Sequence, residues 1–306
     1  MTVTPPRRSS SALPEVADSR LADVAGATVR RALPQRRRRT VGAWCFADHF
    51  GPSTNGVGSI GPHPHIGLQT VTWLLEGELL HRDSVGSEQP IRPGQLNLMT
   101  AGNGVVHAEE APVATGGPSS SSVTHGVQLW VALPEATRRG APAFEHHDEL
   151  PEVELAGATA TVLVGALAGE RSPARADTDH VGAQLAMRGP APVPLAAGAE
   201  HAILALDGAV TVDGRALDVG QVAYLAPGRD EVALAPVDGA GGRRVLLVGG
   251  SPFPDEVHMW WNFVAAGRDE ITEAWEAWRD HADRFPTVDS PLARVPAPRP
   301  PWVAER

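Results

Sequence analysis

His63-Pro64-His65-Ile66-Gly67-Leu68-Gln69-Thr70-Val71-Thr72-Trp73-Leu74-Leu75-Glu76-Gly77-Glu78 opens with two imidazoles one residue apart, then runs through an apolar, β-branched stretch to a glycine turn. Residues at i and i+2 of a strand point to the same face, so His63 and His65 make a two-pronged clamp on an extended segment. A second clamp, His107-Ala108-Glu109, begins 42 residues after His65. Between the clamps, Val71 to Leu75, Glu76-Gly77-Glu78 and Arg92-Pro93-Gly94-Gln95-Leu96-Asn97-Leu98-Met99 read as strand, tight turn, strand, and a Pro-Gly turn into a further strand. Glycines fall where a barrel must bend sharply. Either clamp alone arises by chance in a chain with 12 histidines, but two clamps joined by an ordered meander argue for a barrel with both facing inward. Three imidazoles and one carboxylate suit Fe, Ni, Mn, Cu or Zn. If only these four residues bind an octahedral ion, two positions stay open for substrate or O2.

The surrounding text resembles the pirin family of the cupin superfamily from Phe46 to Leu133. The matching segments are Phe46-Ala47-Asp48-His49-Phe50-Gly51-Pro52, His63 to Thr72, Leu75-Glu76-Gly77-Glu78, His81-Arg82-Asp83-Ser84, Met99 to Glu109, and Gly126-Val127-Gln128-Leu129-Trp130-Val131-Ala132-Leu133. The resemblance implies an all-β chain of two tandem cupin (jelly-roll-like) barrels with a C-terminal helix. It further implies a mononuclear metal on His63, His65, His107 and Glu109. Fe(II) is the usual metal of the family; Ni, Mn, Cu, Co and Zn are alternatives. Some pirins carry out the quercetin 2,3-dioxygenase type of reaction (flavonol 2,4-dioxygenation), for which an exposed metal binds the flavonol beside O2. Glu109 would then also be the catalytic base for the flavonol 3-hydroxyl. Others dock on a transcription factor or a metabolic enzyme, with the metal controlling the docking surface, so a non-enzymatic regulator is the competing expectation.

Two positions depart from the family pattern. Gln69 stands where pirins carry glutamate, so an amide replaces a carboxylate expected near the metal. Ile66 stands where arginine or lysine is common and is expected to change the pocket rim. Glu110 is expected to face away from the site. Trp44, Phe46, Phe50, Leu68, Trp73, Leu98, Met99 and Trp130 are the candidates for an apolar substrate lining.

The rest of the chain fits this frame. Its 306 residues suffice for two domains, and 32 glycines with 28 prolines favour a turn-rich β protein. Residues 1–20 read as a disordered segment, 21–140 as the metal-binding barrel, 141–152 as a linker carrying exposed His146-His147, 153–290 as a second barrel with its helix, and 291–306 as a Pro-rich extended tail. The Gly116 to Ser122 tract reads as a surface loop near the site mouth. The second barrel has only isolated His180 and His201, so no metal is expected there. A helix is expected over Asp269 to Ala282, its Trp275 and Trp278 packed as a latch, with Met259 to Phe263 as a strand before it. The lone Cys45 excludes an internal disulfide, and no apolar leader or bilayer-length run is present, so a cytoplasmic monomer is expected. A net charge of −10 argues against direct nucleic-acid binding. The basic run, Arg30-Arg31 and Arg36 to Arg39, reads as a solvated strand and loop.

Overall fold

Along the strand Leu68–Glu76, Leu68, Thr70, Thr72 and Leu74 alternate with Gln69, Val71, Trp73 and Leu75, and the two sets serve different layers. Val71, Trp73 and Leu75 join Leu96, Leu98, Val127 and Leu129 in one buried cluster with Ala202, Leu204, Leu246 and Val248 from the second half of the chain. The other set lines a barrel interior, where the Thr72 hydroxyl donates to Gln128 at 2.9 Å.

The computed structural model describes residues 12–53, 59–111, 123–237 and 242–304, and these build two tandem cupin barrels. Each barrel pairs a seven-stranded antiparallel sheet with a four-stranded one. In the first barrel the large sheet runs in the order Ala143–His147, Leu96–Thr100, Leu68–Glu76, Thr124–Ala132, Trp44–Ser53, Ala27–Leu33 and Arg20–Val24. Its small sheet is Ile60–His65, Val105–Glu110, Leu79–Asp83 and Glu88–Ile91. The second barrel repeats the plan around an apolar cluster that includes Val162, Leu185, Ile203, Val232 and Leu247. The two large sheets pack face to face, and the layer between them is the buried apolar cluster that holds Trp73 and Leu246.

Trp44 pins that layer. Its ring is fully buried, and its indole nitrogen donates to the carbonyls of Val181 at 3.0 Å and Gly249 at 3.2 Å in the second barrel. A Cβ on Gly182 would crowd the same ring, which is why a side-chain-free residue stands there.

Several expectations change at the joints. Of residues 1–20, those from 12 onward are described, and Glu15–Asp18 is a strand that pairs with Gln221–Leu225 in the second barrel. Arg38 reinforces the crossing: its guanidinium lies 3.1 Å from the Tyr224 ring centre and bonds Glu15 at 3.1 Å, so this arginine is a stitch and not a solvated loop residue. The expected linker contains the strand Ala143–His147, which extends the first barrel's sheet. His146 and His147 are therefore partly buried, bonded to Asn97, Asp148 and Glu145. Met259 to Phe263 is a hairpin between His258–Trp260 and Phe263–Ala265, not one strand.

The helix spans Arg268–Arg279, with Asp269 and Glu270 in its first turn and Arg279 in its last, each favoured by the helix dipole. Ile271, Ala274, Trp275 and Trp278 form its buried stripe against Ile66, Val106 and Phe263. No described helix is long and apolar enough to cross a membrane. The tail is strapped down. Val295 donates its N–H to Pro62 at 2.9 Å, while the indole nitrogens of Trp278 and Trp260 donate to the carbonyls of Val295 and Pro298. The loop expected at Gly116 to Ser122 lies outside the described residues.

Candidate metal centre

The strand Val105–Glu110 is the middle of the site. It pairs on one edge with Ile60–His65, placing His107 opposite His63, and on the other with Leu79–Asp83, placing His107 opposite Asp83 and Glu109 opposite His81. One ring nitrogen from each of His63, His65 and His107 lies within 4.8 Å of the other two, and among the described residues this is the one such cluster. All three rings are buried, with centroids 4.3 to 5.1 Å apart. Glu109 lines the same cavity but stands outside this cluster.

Backbone carbonyls fix two of the rings. His63 Nδ1 donates to the Gly61 carbonyl at 2.9 Å and His65 Nδ1 to the Asn262 carbonyl at 3.0 Å, so in each neutral ring the Nε2 atom keeps a lone pair. The acceptors are themselves held. A Cβ on Gly61 would collide with the Ala293 carbonyl of the tail, and Asn262 sits at the tip of the C-terminal hairpin. His65 Nε2 and His107 Nε2 are 3.1 Å apart. Two nitrogens about 2.1 Å from one ion at right angles would stand about 3.0 Å apart, so the spacing fits a shared ion.

The electrostatics fit as well. Burial, together with neighbouring imidazoles, holds His65 and His107 well below the ordinary value, and burial lowers His63 to about 4. These are neutral rings at pH 7, as ligation requires. Burial pushes Glu109 up to about 7. A buried carboxyl beside three neutral imidazoles lacks a positive charge, which a divalent cation would supply.

A stability prediction follows from the histidines. Their folded pKa values lie below the unfolded value near 6.5, so the unfolded chain binds more protons as pH drops. Stability present above pH 6.5 is lost as pH falls through 6.5 toward 4. Thermal unfolding of metal-free protein should therefore show a falling Tm across this window, and His63→Phe should flatten the fall.

The cavity has a volume of about 500 Å3. Phe46, Phe50 and Trp130 line it as expected, with Val29 and Leu79. Trp44, Trp73 and Leu98 pack instead between the barrels, and Leu68 and Met99 in an adjoining apolar cluster. Phe46 and Trp130 stack at 4.0 Å, and Trp130 meets His65 edge to face at 5.1 Å. Arg31 closes the wall with a two-pronged bond to Asp48 at 2.8 and 2.7 Å, its guanidinium 4.5 Å from the Phe46 ring centre. Arg31, expected in the solvated run, faces inward, and its spacing of two from buried Val29 on one strand is the signal.

Neither departure from the family pattern touches the cavity. Gln69 lies on the Val71 and Trp73 face, fully buried, donating to Thr100 at 3.0 Å and leaving its Oε1 without a partner. Ile66 is buried beneath the C-terminal helix and not on the rim. Gln69→Glu should consequently leave metal affinity unchanged in a chelator competition. It should also lower stability by about 1–3 kcal/mol in urea unfolding, because it buries a carboxyl beside a single hydroxyl. Glu110, expected to face solvent, instead accepts from the Ser290 hydroxyl at 2.7 Å and helps hold the tail.

Comparison with known proteins agrees with this architecture. Residues 26–131 match the Pirin family model and residues 181–285 the Pirin C-terminal cupin domain. A Pseudomonas aeruginosa protein provisionally named a quercetin 2,3-dioxygenase is 45% identical over 93% of this chain and 90% of its own. A pirin-like protein of Caulobacter vibrioides is 37% identical over 90% of this chain and 96% of its own. The crystal structure of a quercetin 2,3-dioxygenase from Acinetobacter baumannii superposes with a TM-score of 0.88 at 41% identity, covering 96% of this chain and 97% of that one. With both barrels matched in order and identity sustained along the chain, this protein belongs to the pirin family of two-barrel cupins.

Proposed function

We propose that the first barrel holds one divalent metal ion on His63, His65, His107 and Glu109, and that the centre is a flavonol 2,4-dioxygenase of the quercetin 2,3-dioxygenase type. The observation that carries the metal reading is the convergence of three buried, neutral imidazoles, two of them with Nδ1 tied to backbone carbonyls so that their Nε2 lone pairs are free. Nitrogen donors with one carboxylate suit Fe(II), the family's usual metal, and admit Ni, Mn, Cu, Co or Zn. Bound there, the ion would supply a Lewis-acidic centre.

The chain's own residues supply the rest. The stacked Phe46 and Trp130 offer a flat apolar wall beside His65 for a planar aromatic substrate. Glu109, poised near neutrality by burial, accepts the proton of the flavonol 3-hydroxyl. Trp261, Asn262 and Val295 cover the cavity from the C-terminal side and limit water.

The test is anaerobic titration of metal-replete protein with quercetin, followed by O2. The expected result is O2 uptake with loss of the flavonol absorbance, slowed ~10²–10⁴-fold in Glu109→Gln. Bound metal with no O2 uptake would contradict the enzymatic reading and leave a metal-dependent docking protein.

A further inference from the structure

We propose that His81 and Asp83 are positioning residues that set the tautomer of His107: Asp83 accepts the hydrogen bond of His81 Nε2–H, leaving His81 Nδ1 as the acceptor that holds His107 in its Nδ1–H form, with Nε2 free to ligate. The proposal rests on the reading of His107 as a metal ligand.

Unlike His63 and His65, His107 has no backbone carbonyl as the partner of its Nδ1; that atom faces His81 Nδ1 at 3.4 Å. A neutral imidazole carries one N–H and one lone pair, so only one of these two facing nitrogens can bring the proton. With a cation shared by His65 Nε2 and His107 Nε2, whose 3.1 Å contact would otherwise take a proton, the choice is made at the other end of His81, whose Nε2 lies 2.9 Å from Asp83 Oδ2. Were His81 protonated on Nδ1, its Nε2 lone pair would oppose the carboxylate. The Nε2–H form is therefore favoured, and the proton in the His107 contact comes from His107.

The surroundings lock this arrangement. Asp83 Oδ1 accepts the backbone N–H groups of Val85 at 3.0 Å and Ser87 at 2.9 Å, so the carboxylate cannot turn away. Phe144 stacks on the His81 ring with centroids 4.4 Å apart and planes 18° apart, fixing its orientation. The Asp83 side chain is fully shielded and that of His81 nearly so, so water does not compete for these bonds. Such partners behind a ligand fix its tautomer and orientation, and their loss commonly costs ~10–100-fold in metal affinity.

Asp83→Asn separates this role from packing. Its amide oxygen retains the two backbone N–H bonds, and its NH2 group falls where Oδ2 was. The amide then donates to His81 Nε2, His81 carries its proton on Nδ1, and His107 is driven to the Nε2–H form that cannot ligate. His81→Phe keeps the stack on Phe144 and removes the acceptor.

The experiment uses zinc-loaded full-length protein labelled with 15N-histidine, read by NMR, with zinc affinity measured by chelator competition. Wild-type protein should show His81 as the Nε2–H tautomer and His107 protonated on Nδ1. Asp83→Asn and His81→Phe should each lose ~10–100-fold in zinc affinity. A wild-type His81 that is protonated on Nδ1, or on both nitrogens, overturns the proposal even if a variant fails to fold. Folded variants that hold zinc as tightly as wild type overturn it while leaving the metal reading standing. Wild-type protein that binds no zinc removes the metal reading, and the proposal with it.

Discussion

Replacing His107 by alanine should lower the affinity for a divalent metal by ~10²–10³-fold. Four-ligand protein sites bind with about 10–16 kcal/mol, or about 2.5–4 kcal/mol per ligand, and every 1.4 kcal/mol is tenfold. His107 is the most exposed to this arithmetic because its strand is paired on both sides, so no neighbouring side chain can move into the gap without breaking a ladder. The substitution should leave the fold intact. Burying three neutral imidazoles near one another is a burden on the metal-free chain, as their lowered pKa values record, and removing one relieves it. Chelator competition and elemental content measure the loss. His201→Ala, inside the second barrel, should change neither, since among the described residues His201 belongs to no ligand cluster.

The largest stability loss should come from Trp44→Ala, at about 3–5 kcal/mol, which is the usual cost of truncating a buried tryptophan. Trp44 fills the layer between the barrels, stands edge-on to His180 at 5.4 Å, and satisfies two carbonyls of the second barrel through one N–H. Alanine leaves a cavity and two acceptors competing for a donor that is gone. Trp44→Phe should recover most of the packing and still cost about 1–2 kcal/mol for the lost hydrogen bonds. Urea unfolding followed by circular dichroism would measure both. Equal midpoints for Ala and Phe would show that the indole hydrogen bonds, and not the packing, hold the barrels together.

Strand alternation made much of this architecture legible in advance. Val71, Trp73 and Leu75 recur at the strand period, and Ile271, Ala274, Trp275 and Trp278 at the helical one, and each set is buried as its period implies. The convergence of His63, His65 and His107 was legible for the same reason. The family pattern placed Gln69 near the metal, but it lies beyond Gly67 on the face of Val71 and Trp73. That glycine adopts φ +66, a left-handed conformation that interrupts the strand, and the face reverses beyond it. Glu15–Asp18 was misread because its partner, Gln221–Leu225, lies about two hundred residues away, and local composition is blind to such pairing. The Asn262 carbonyl that orients His65 is a backbone group, so no residue type announces it. His81 and Asp83 alternate on the strand Leu79–Asp83. Their part at the site depends on strand order, with Leu79–Asp83 beside Val105–Glu110, which spacing alone does not reveal.

X-ray absorption at the iron edge, on protein reconstituted anaerobically with Fe(II), tests the central claim most directly. Three imidazole nitrogens at about 2.1 Å should scatter from the iron, with one of them missing in His107→Ala. An iron surrounded only by water and carboxylate oxygens, with no imidazole scattering, would contradict the assignment of His63, His65 and His107 as its ligands.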